Sequence, residues 1–235
     1  MFSPSMRQRL QKGIVAYWAL DESSGTRRAS LFRGNTPVAL TLNDGAIAST
    51  TGPSGNLPVA AAFPNTSGEW LTVGTNIRLG RPAEWTISLW INASTLAGFT
   101  RGIIAEYEAT GNQRAWRIEA TTAGAIQAAF SGDGASAAIV NANKTIVTGT
   151  WYHIALRWNA KNRRFTVWFD GVETTSAIVS LGIFVGTAPL NLGEANTGQW
   201  AGSMSQFVLW DRQLSNAEVR AMWNNGRGLE LRGAA

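Results

Sequence analysis

Three segments of this chain alternate apolar and polar residues with a period of two, and no other feature constrains the fold as much. Along Trp85 to Ile91, the side chains of Trp85, Ile87, Leu89 and Ile91 share one face, while Thr86, Ser88, Trp90 and then Asn92 share the other. Between Trp151 and Asn159, Tyr152, Ile154, Leu156 and Trp158 oppose His153, Arg157 and Asn159. Between Arg164 and Asp170, Phe165, Val167 and Phe169 oppose Arg164, Thr166, Trp168 and Asp170. Successive side chains of a strand point to opposite faces of its sheet, so each segment reads as a strand with one dry and one wetter face. Two antiparallel sheets packed on their dry faces satisfy that pattern.

Further strand-like runs stand at 59–63, 69–73, 101–107, 113–119, 125–130, 136–141, 189–193 and 202–210, after a first run from Ile14 to Leu20. Short strands at close intervals imply an all-β sandwich or barrel. Residues 21–57, rich in Gly, Ser, Thr and Asn, read as loops and short strands. Asp170-Gly171 is a hairpin signal, because both residues tolerate positive φ.

Helical signals stand at the two ends. Ser3-Pro4 opens a polar stretch to Lys12 that reads as a capped helical turn or a short arm. Ser215 is an N-cap with Glu218 three residues on, the spacing of a capping box, and Leu214 and Val219 occupy the staple positions. Val219, Met222 and Trp223 follow helical spacing, and Asn224-Asn225-Gly226 supplies the stop. The organisation expected is an N-terminal arm at 1–12, one domain at 13–228 and a C-terminal tail at 229–235.

Composition removes several chemistries. Cysteine is absent, which excludes disulfides and thiolate metal sites. The single histidine, His153, excludes a multi-histidine zinc site. No Gly-x-Ser-x-Gly elbow and no phosphate-cradling glycine loop with lysine is present. The nearest approach to paired catalytic carboxylates is Glu106-Tyr107-Glu108; alternation puts both on one strand face, where the plainer reading is a solvated edge. The opening residues lack the apolar run of an export signal, and no stretch approaches a membrane span. Tryptophan is the outlier: 11 of 235 residues, where about one per hundred is ordinary. That excess points to aromatic packing or aromatic recognition.

Six segments together resemble a known family: GIVAYWALDESSGT (13–26), AAAFPNTSGEWLTV (60–73), EWTISLWIN (84–92), GTWYHIALRWNAKNRRFTVWFDG (149–171), PLNLG (189–193) and WAGSMSQFVLWDRQLSNAEVRAMWNNG (200–226). In this order they resemble laminin-G-like, concanavalin A-like jelly-roll domains of the lectin and glucanase type. The resemblance implies a two-sheet antiparallel jelly-roll sandwich with a short C-terminal helix. It is nearest to stand-alone modules of tailed-phage structural proteins and some bacterial surface proteins. Related domains carry acids near Ala29, Pro64-Asn65 and Ser205-Gln206, and this chain does not. A family-type calcium site, which needs several hard oxygen ligands, is therefore not expected, and neither is another cofactor.

Two sets of candidate residues follow. Trp90 and Trp168 lie on the polar faces of their strands with Asn92 and Arg164 nearby, a platform on which a sugar's C–H face would stack. The competing reading is that loops, or the helix bearing Trp223, cover both rings. The second set is an assembly surface: Phe2, Arg7, Arg9 and Lys12 on the arm, with Arg27 and Arg28. The net charge of +5 without a recognition motif argues against nucleic acid. A basic arm ordering against an acidic protein lattice fits better. The expectation is a non-enzymatic virion component of a tailed phage, a capsid decoration or fibre-type protein made in a bacterial cytoplasm. Its partners would be capsid proteins or further copies of itself. The alternative is a carbohydrate-binding lectin-like module or adhesin.

Overall fold

The three alternating segments lie side by side as neighbouring antiparallel strands, with Trp158 opposite both Trp85 and Phe165. The computed structural model describes residues 4–33, 38–65, 68–73, 83–179 and 182–232. Among them the chain runs α1 (Pro4–Gln11), β1 (Ile14–Trp18), β2 (Arg27–Arg28), β3 (Leu31–Phe32), β4 (Ala39–Leu42), β5 (Ala48–Ser54), β6 (Leu57–Pro64) and β7 (Leu71–Val73). It continues with β8 (Glu84–Ala93), β9 (Arg101–Glu108), β10 (Gln113–Ala120), β11 (Ala125–Phe130), β12 (Ala138–Thr145), β13 (Trp151–Asn159), β14 (Arg164–Phe169) and β15 (Val172–Ile178). It closes with β16 (Leu190–Leu192), β17 (Ala201–Trp210) and α2 (Asn216–Trp223).

Among the described residues these strands form two antiparallel sheets. The first runs β15-β14-β13-β8-β17-β1-β3, with the β5–β6 hairpin attached to β17 through β6. The second runs β12-β11-β10-β9-β16-β7-β4-β2. β17 changes partner midway. Its first half pairs β6 and its second half pairs β1. Between them its register on β8 shifts at a bulge where Gln206 takes φ 54°.

The predicted dry faces meet between the sheets. Leu209, Ile87, Leu156 and Val167 form one row across β17, β8, β13 and β14, and all are buried. From the other sheet, Leu40, Val73, Leu190, Trp116 and Phe130 complete the core. The Asp170-Gly171 turn takes φ of 49° and 73°, as a two-residue hairpin of this hand requires. A side chain at Gly171 would meet the Trp223 ring at 2.7 Å. The strand after that hairpin, β15, escapes the sequence pattern because it is an edge strand exposed over most of its length.

The faces expected to be wet are a correction. The outer face of the first sheet carries a second dry layer. Tyr17, Val208, Ser88, Ala155 and Trp168 form a row across five strands, and every one is buried. Val219 and Met222 of α2, with Leu214, Leu229, Leu231 and Leu10, seal it. The capping box of α2 forms as expected. Ser215 accepts from the Glu218 backbone N–H, and Glu218 accepts from the Ser215 backbone N–H at 2.8 Å. Arg212 also donates to Glu218 at 2.9 Å, which fixes the loop entering the helix.

The arm and the tail belong to this layer, which corrects their reading as a free arm and a separate tail. Pro4 opens α1, where a missing N–H costs nothing. Leu10 is fully buried, and its carbonyl accepts from Trp210 Nε1 at 2.7 Å. Arg212 donates to the carbonyls of Arg9 and Lys12, each at 2.8 Å. The C-terminal segment crosses the same face: Gln11 donates to the Leu231 carbonyl at 2.9 Å, and Gln206 at the bulge donates to the Leu229 carbonyl. Tyr17 donates to Glu230 at 2.5 Å.

Candidate functional site

Eight of the 11 tryptophans are buried, which leaves Trp70, Trp151 and Trp223 half-buried. Trp70 lines a cleft of about 330 Å³ together with Phe99, Glu194, Thr197, Gly198 and Gln199. That volume lies at the small end of ligand sites. Three segments distant in sequence build it: the residues entering β7, the β8–β9 loop and the β16–β17 loop. Phe99 is 52% exposed, an unusual position for a large apolar ring.

A buried cation ties the β8–β9 and β16–β17 loops to each other and to Asn65 after β6, while β7 is held by its pairing with β16. The Arg101 guanidinium lies 4.3 Å from the centre of the Phe99 ring. It donates to the Ala97 carbonyl at 2.7 Å, to the Gln199 carbonyl at 3.2 Å, and to Asn65 Oδ1. The Gly102 N–H donates to the Gly198 carbonyl at 2.6 Å, which holds the β16–β17 loop against β9. Gly198 is required by close approach, since a Cβ there would come within 2.0 Å of the Phe99 ring.

Among the described residues lining the cleft, Glu194 is the charged group. Its carboxylate accepts from the Asn196 N–H and from Asn191 Nδ2 at 3.2 Å. Burial pushes its pKa above the ordinary carboxylate range, against those two hydrogen bonds; Glu108 adds to the rise and Arg117 opposes it. Asn191 Oδ1, behind it, is buried and accepts no hydrogen bond among the described residues. The cleft thus joins two aromatic surfaces to a carboxylate, a hydroxyl and an amide.

The Laminin_G_3 family model, described as the concanavalin A-like lectin/glucanases superfamily, matches residues 64–220. The chain belongs to that superfamily. The concanavalin A-like domain is similar in fold to the binding domain of Paraclostridial Mosquitocidal Protein 1, at TM-score 0.70 and 16% identity, covering 92% of this chain. It spans only 52% of that structure. Domain 4 of AbnA, an extracellular arabinanase from Geobacillus stearothermophilus in complex with arabinotriose, matches at TM-score 0.63 and 18% identity. There the coverage is 88% of this chain and 96% of the other. The binding domain of Botulinum Neurotoxin DC in complex with SialylT matches at TM-score 0.65 and 12% identity, over 93% of this chain and 52% of the other. At these identities the likeness is one of fold. No curated protein matches the chain by sequence.

The sugar platform predicted for this concanavalin A-like domain does not assemble. Trp90 is 2% exposed and Trp168 1% exposed, both in the covered outer layer. Arg157 and Arg220 stack on Trp168 at 4.7 and 5.9 Å. Asn92 and Arg164 stand toward opposite ends of the sheet, since Asn92 is opposite Trp151 and Arg164 opposite Asn159. Eight residues of strand separate those positions, about 27 Å.

Of the assembly set, Phe2 lies outside the described residues. Arg7 and Arg9 on the docked α1 and Lys12 just after it are at least partly exposed, and Arg28 is exposed. Arg27 is fully buried opposite Leu40, donating to the Ile47 carbonyl at 2.7 Å and the Gly25 carbonyl at 3.1 Å. It serves the fold and offers no surface contact.

Glu106 is also corrected from a solvated edge. It lies on the inner row between Leu190 and Trp116, and its carboxylate accepts from Trp116 Nε1 at 3.2 Å. Ala29 is buried, Asn65 accepts from Arg101, and Ser205 donates to the Val59 carbonyl at 3.2 Å. Among the described residues, no three His, Asp or Glu side chains converge to hold a metal ion. No helix among them is long and apolar enough to cross a membrane.

Alternation could not find the cleft, because its residues lie outside the regular strands or at their ends. The available signal was two aromatics stranded in loops, Trp70 after Ser67-Gly68-Glu69 and Phe99 after Ala97-Gly98.

Proposed function

We propose that this protein is a non-catalytic carbohydrate-binding module whose sugar site is the Trp70–Phe99 cleft. The carrying observation is the pairing of a half-exposed phenylalanine and a half-buried tryptophan around Glu194, Thr197 and Gln199. Sugar rings present apolar C–H faces that suit aromatic rings, and their hydroxyls suit carboxylate, hydroxyl and amide partners. Fold neighbours in complex with arabinotriose and with SialylT support the reading. The carboxylate pair that the sequence offered for catalysis, Glu106 and Glu108, is not an open pair, because Glu106 points into the core.

The virion-component reading drew its attachment device from a free basic arm. With α1 folded into the outer layer, that reading loses its free arm and rests on basic residues of the folded surface, among them Arg9, Lys12, Arg28, Lys161 and Arg164. The glycan reading has a shaped site behind it.

A printed glycan array followed by calorimetry tests the proposal. Removing one stacking ring forfeits about 1–2 kcal/mol, roughly tenfold in Kd. Trp70→Ala and Phe99→Ala should each weaken binding by that factor, and EDTA should leave it unchanged. An array without signal, or both variants binding as the wild type does, refutes the reading.

A further inference from the structure

We infer that the cleft selects neutral sugars and rejects sugars bearing a carboxylate or sulfate. The inference rests on the carbohydrate reading of the site and adds the ligand's charge class, which neither the fold nor the aromatic rings determine.

The sign of the local charge carries it. Among the side chains lining the cleft, Trp70, Phe99, Thr197 and Gln199 are uncharged and Glu194 is anionic. Glu108 reinforces that sign: it acts electrostatically on Glu194, and Asn196 donates toward both carboxylates. Among the described residues, the cations near the cleft, Arg101 and Arg117, are committed elsewhere. Arg101 has both terminal nitrogens bonded to Ala97, Gln199 and Asn65, and the Phe99 ring lies against its guanidinium. Arg117 is paired with Glu119 at 3.0 Å and stacks on Tyr107 at 4.5 Å. A planar guanidinium recognises a carboxylate by offering parallel N–H donors, and neither arginine has such a pair to offer.

The remaining polar atoms complement hydroxyl donors. A carboxylate oxygen accepts more than one hydrogen bond, so Glu194 retains acceptor capacity beyond its bonds from Asn196 and Asn191. Asn191 Oδ1 beside it is a further buried acceptor without a donor among the described residues. Vicinal hydroxyls of a neutral sugar would supply donors to that wall, whereas an anionic substituent would bring like charge to a half-buried carboxylate. The chain as a whole carries +5, so its long-range field attracts anions. Selection against them must be local to the cleft.

The test uses the full chain on an array of matched pairs. In each pair a neutral oligosaccharide stands beside the same backbone with its C6 hydroxymethyl oxidised to carboxylate or with one hydroxyl sulfated. Neutral members should bind, and their acidic counterparts should bind at least tenfold more weakly at pH 7. Glu194→Gln, which keeps an acceptor for the Asn196 N–H, should narrow that gap to less than threefold. Thermal melts check that the variant is folded. Acidic members binding as well as neutral ones, through a Trp70-sensitive site, overturn the inference and leave the carbohydrate reading standing. So does a gap that Glu194→Gln leaves intact. Loss of all Trp70-sensitive binding overturns both.

Discussion

Acid should destabilise this protein through its one histidine, by an amount that follows from where the ring lies. His153 is fully buried in the outer layer, with Nε2 2.8 Å from Ser88 Oγ and its ring centre 5.2 Å from that of Trp90. Its Nδ1 has no partner among the described residues, and burial holds its pKa down at about 3. An unfolded histidine titrates near 6.5. Because the folded value is the lower one, the unfolded chain takes up the proton first. Stability is therefore complete above about pH 6.5 and falls by ~1.4 kcal/mol per pH unit until the folded ring titrates. At pH 5 the loss is ~2 kcal/mol.

Carboxylates titrate in the same range, so the measurement is a difference. Urea unfolding of the wild type and of His153→Gln should be compared from pH 7.5 to 4.5. Glutamine retains a hydrogen-bonding group for Ser88 and does not titrate. Asp170, which accepts from the His153 backbone N–H at 2.9 Å, is common to both proteins and largely cancels. The wild type should lose ground to the variant as pH falls, by ~2 kcal/mol at pH 5. A constant gap between the two unfolding free energies would mean that His153 is solvated, and the covered outer layer would be wrong.

Two further outcomes test that layer. Deleting residues 1–12 uncovers Trp210 and removes buried Leu10. The melting temperature should drop by several degrees, corresponding to a loss of ~2–4 kcal/mol; an unchanged melt would restore the free arm. Trp168→Ala should cost ~3–5 kcal/mol in urea unfolding, while calorimetry on the folded protein shows glycan affinity unchanged. Affinity lost at unchanged stability would return Trp168 to the binding surface.

Strand alternation, hairpin chemistry and helix capping are local, and they were legible. Trp85, Ile87, Leu89 and Ile91 share a face because a strand admits no other arrangement, and Ser215 caps α2 because Glu218 lies within reach of it. The same periodicity also put Trp90, His153 and Trp168 together on a second face. What it cannot carry is whether anything covers that face. The cover comes from Leu10 at one end of the chain and from α2 and Leu231 at the other, and burial follows from that distant docking. The cleft is non-local in the same sense. Trp70 and Glu194 meet because β7 pairs with β16, and Phe99 joins them because Arg101 ties the β8–β9 loop to the β16–β17 loop. Sequence decided which residues share a surface; packing between remote segments decided which surfaces stay open to a ligand.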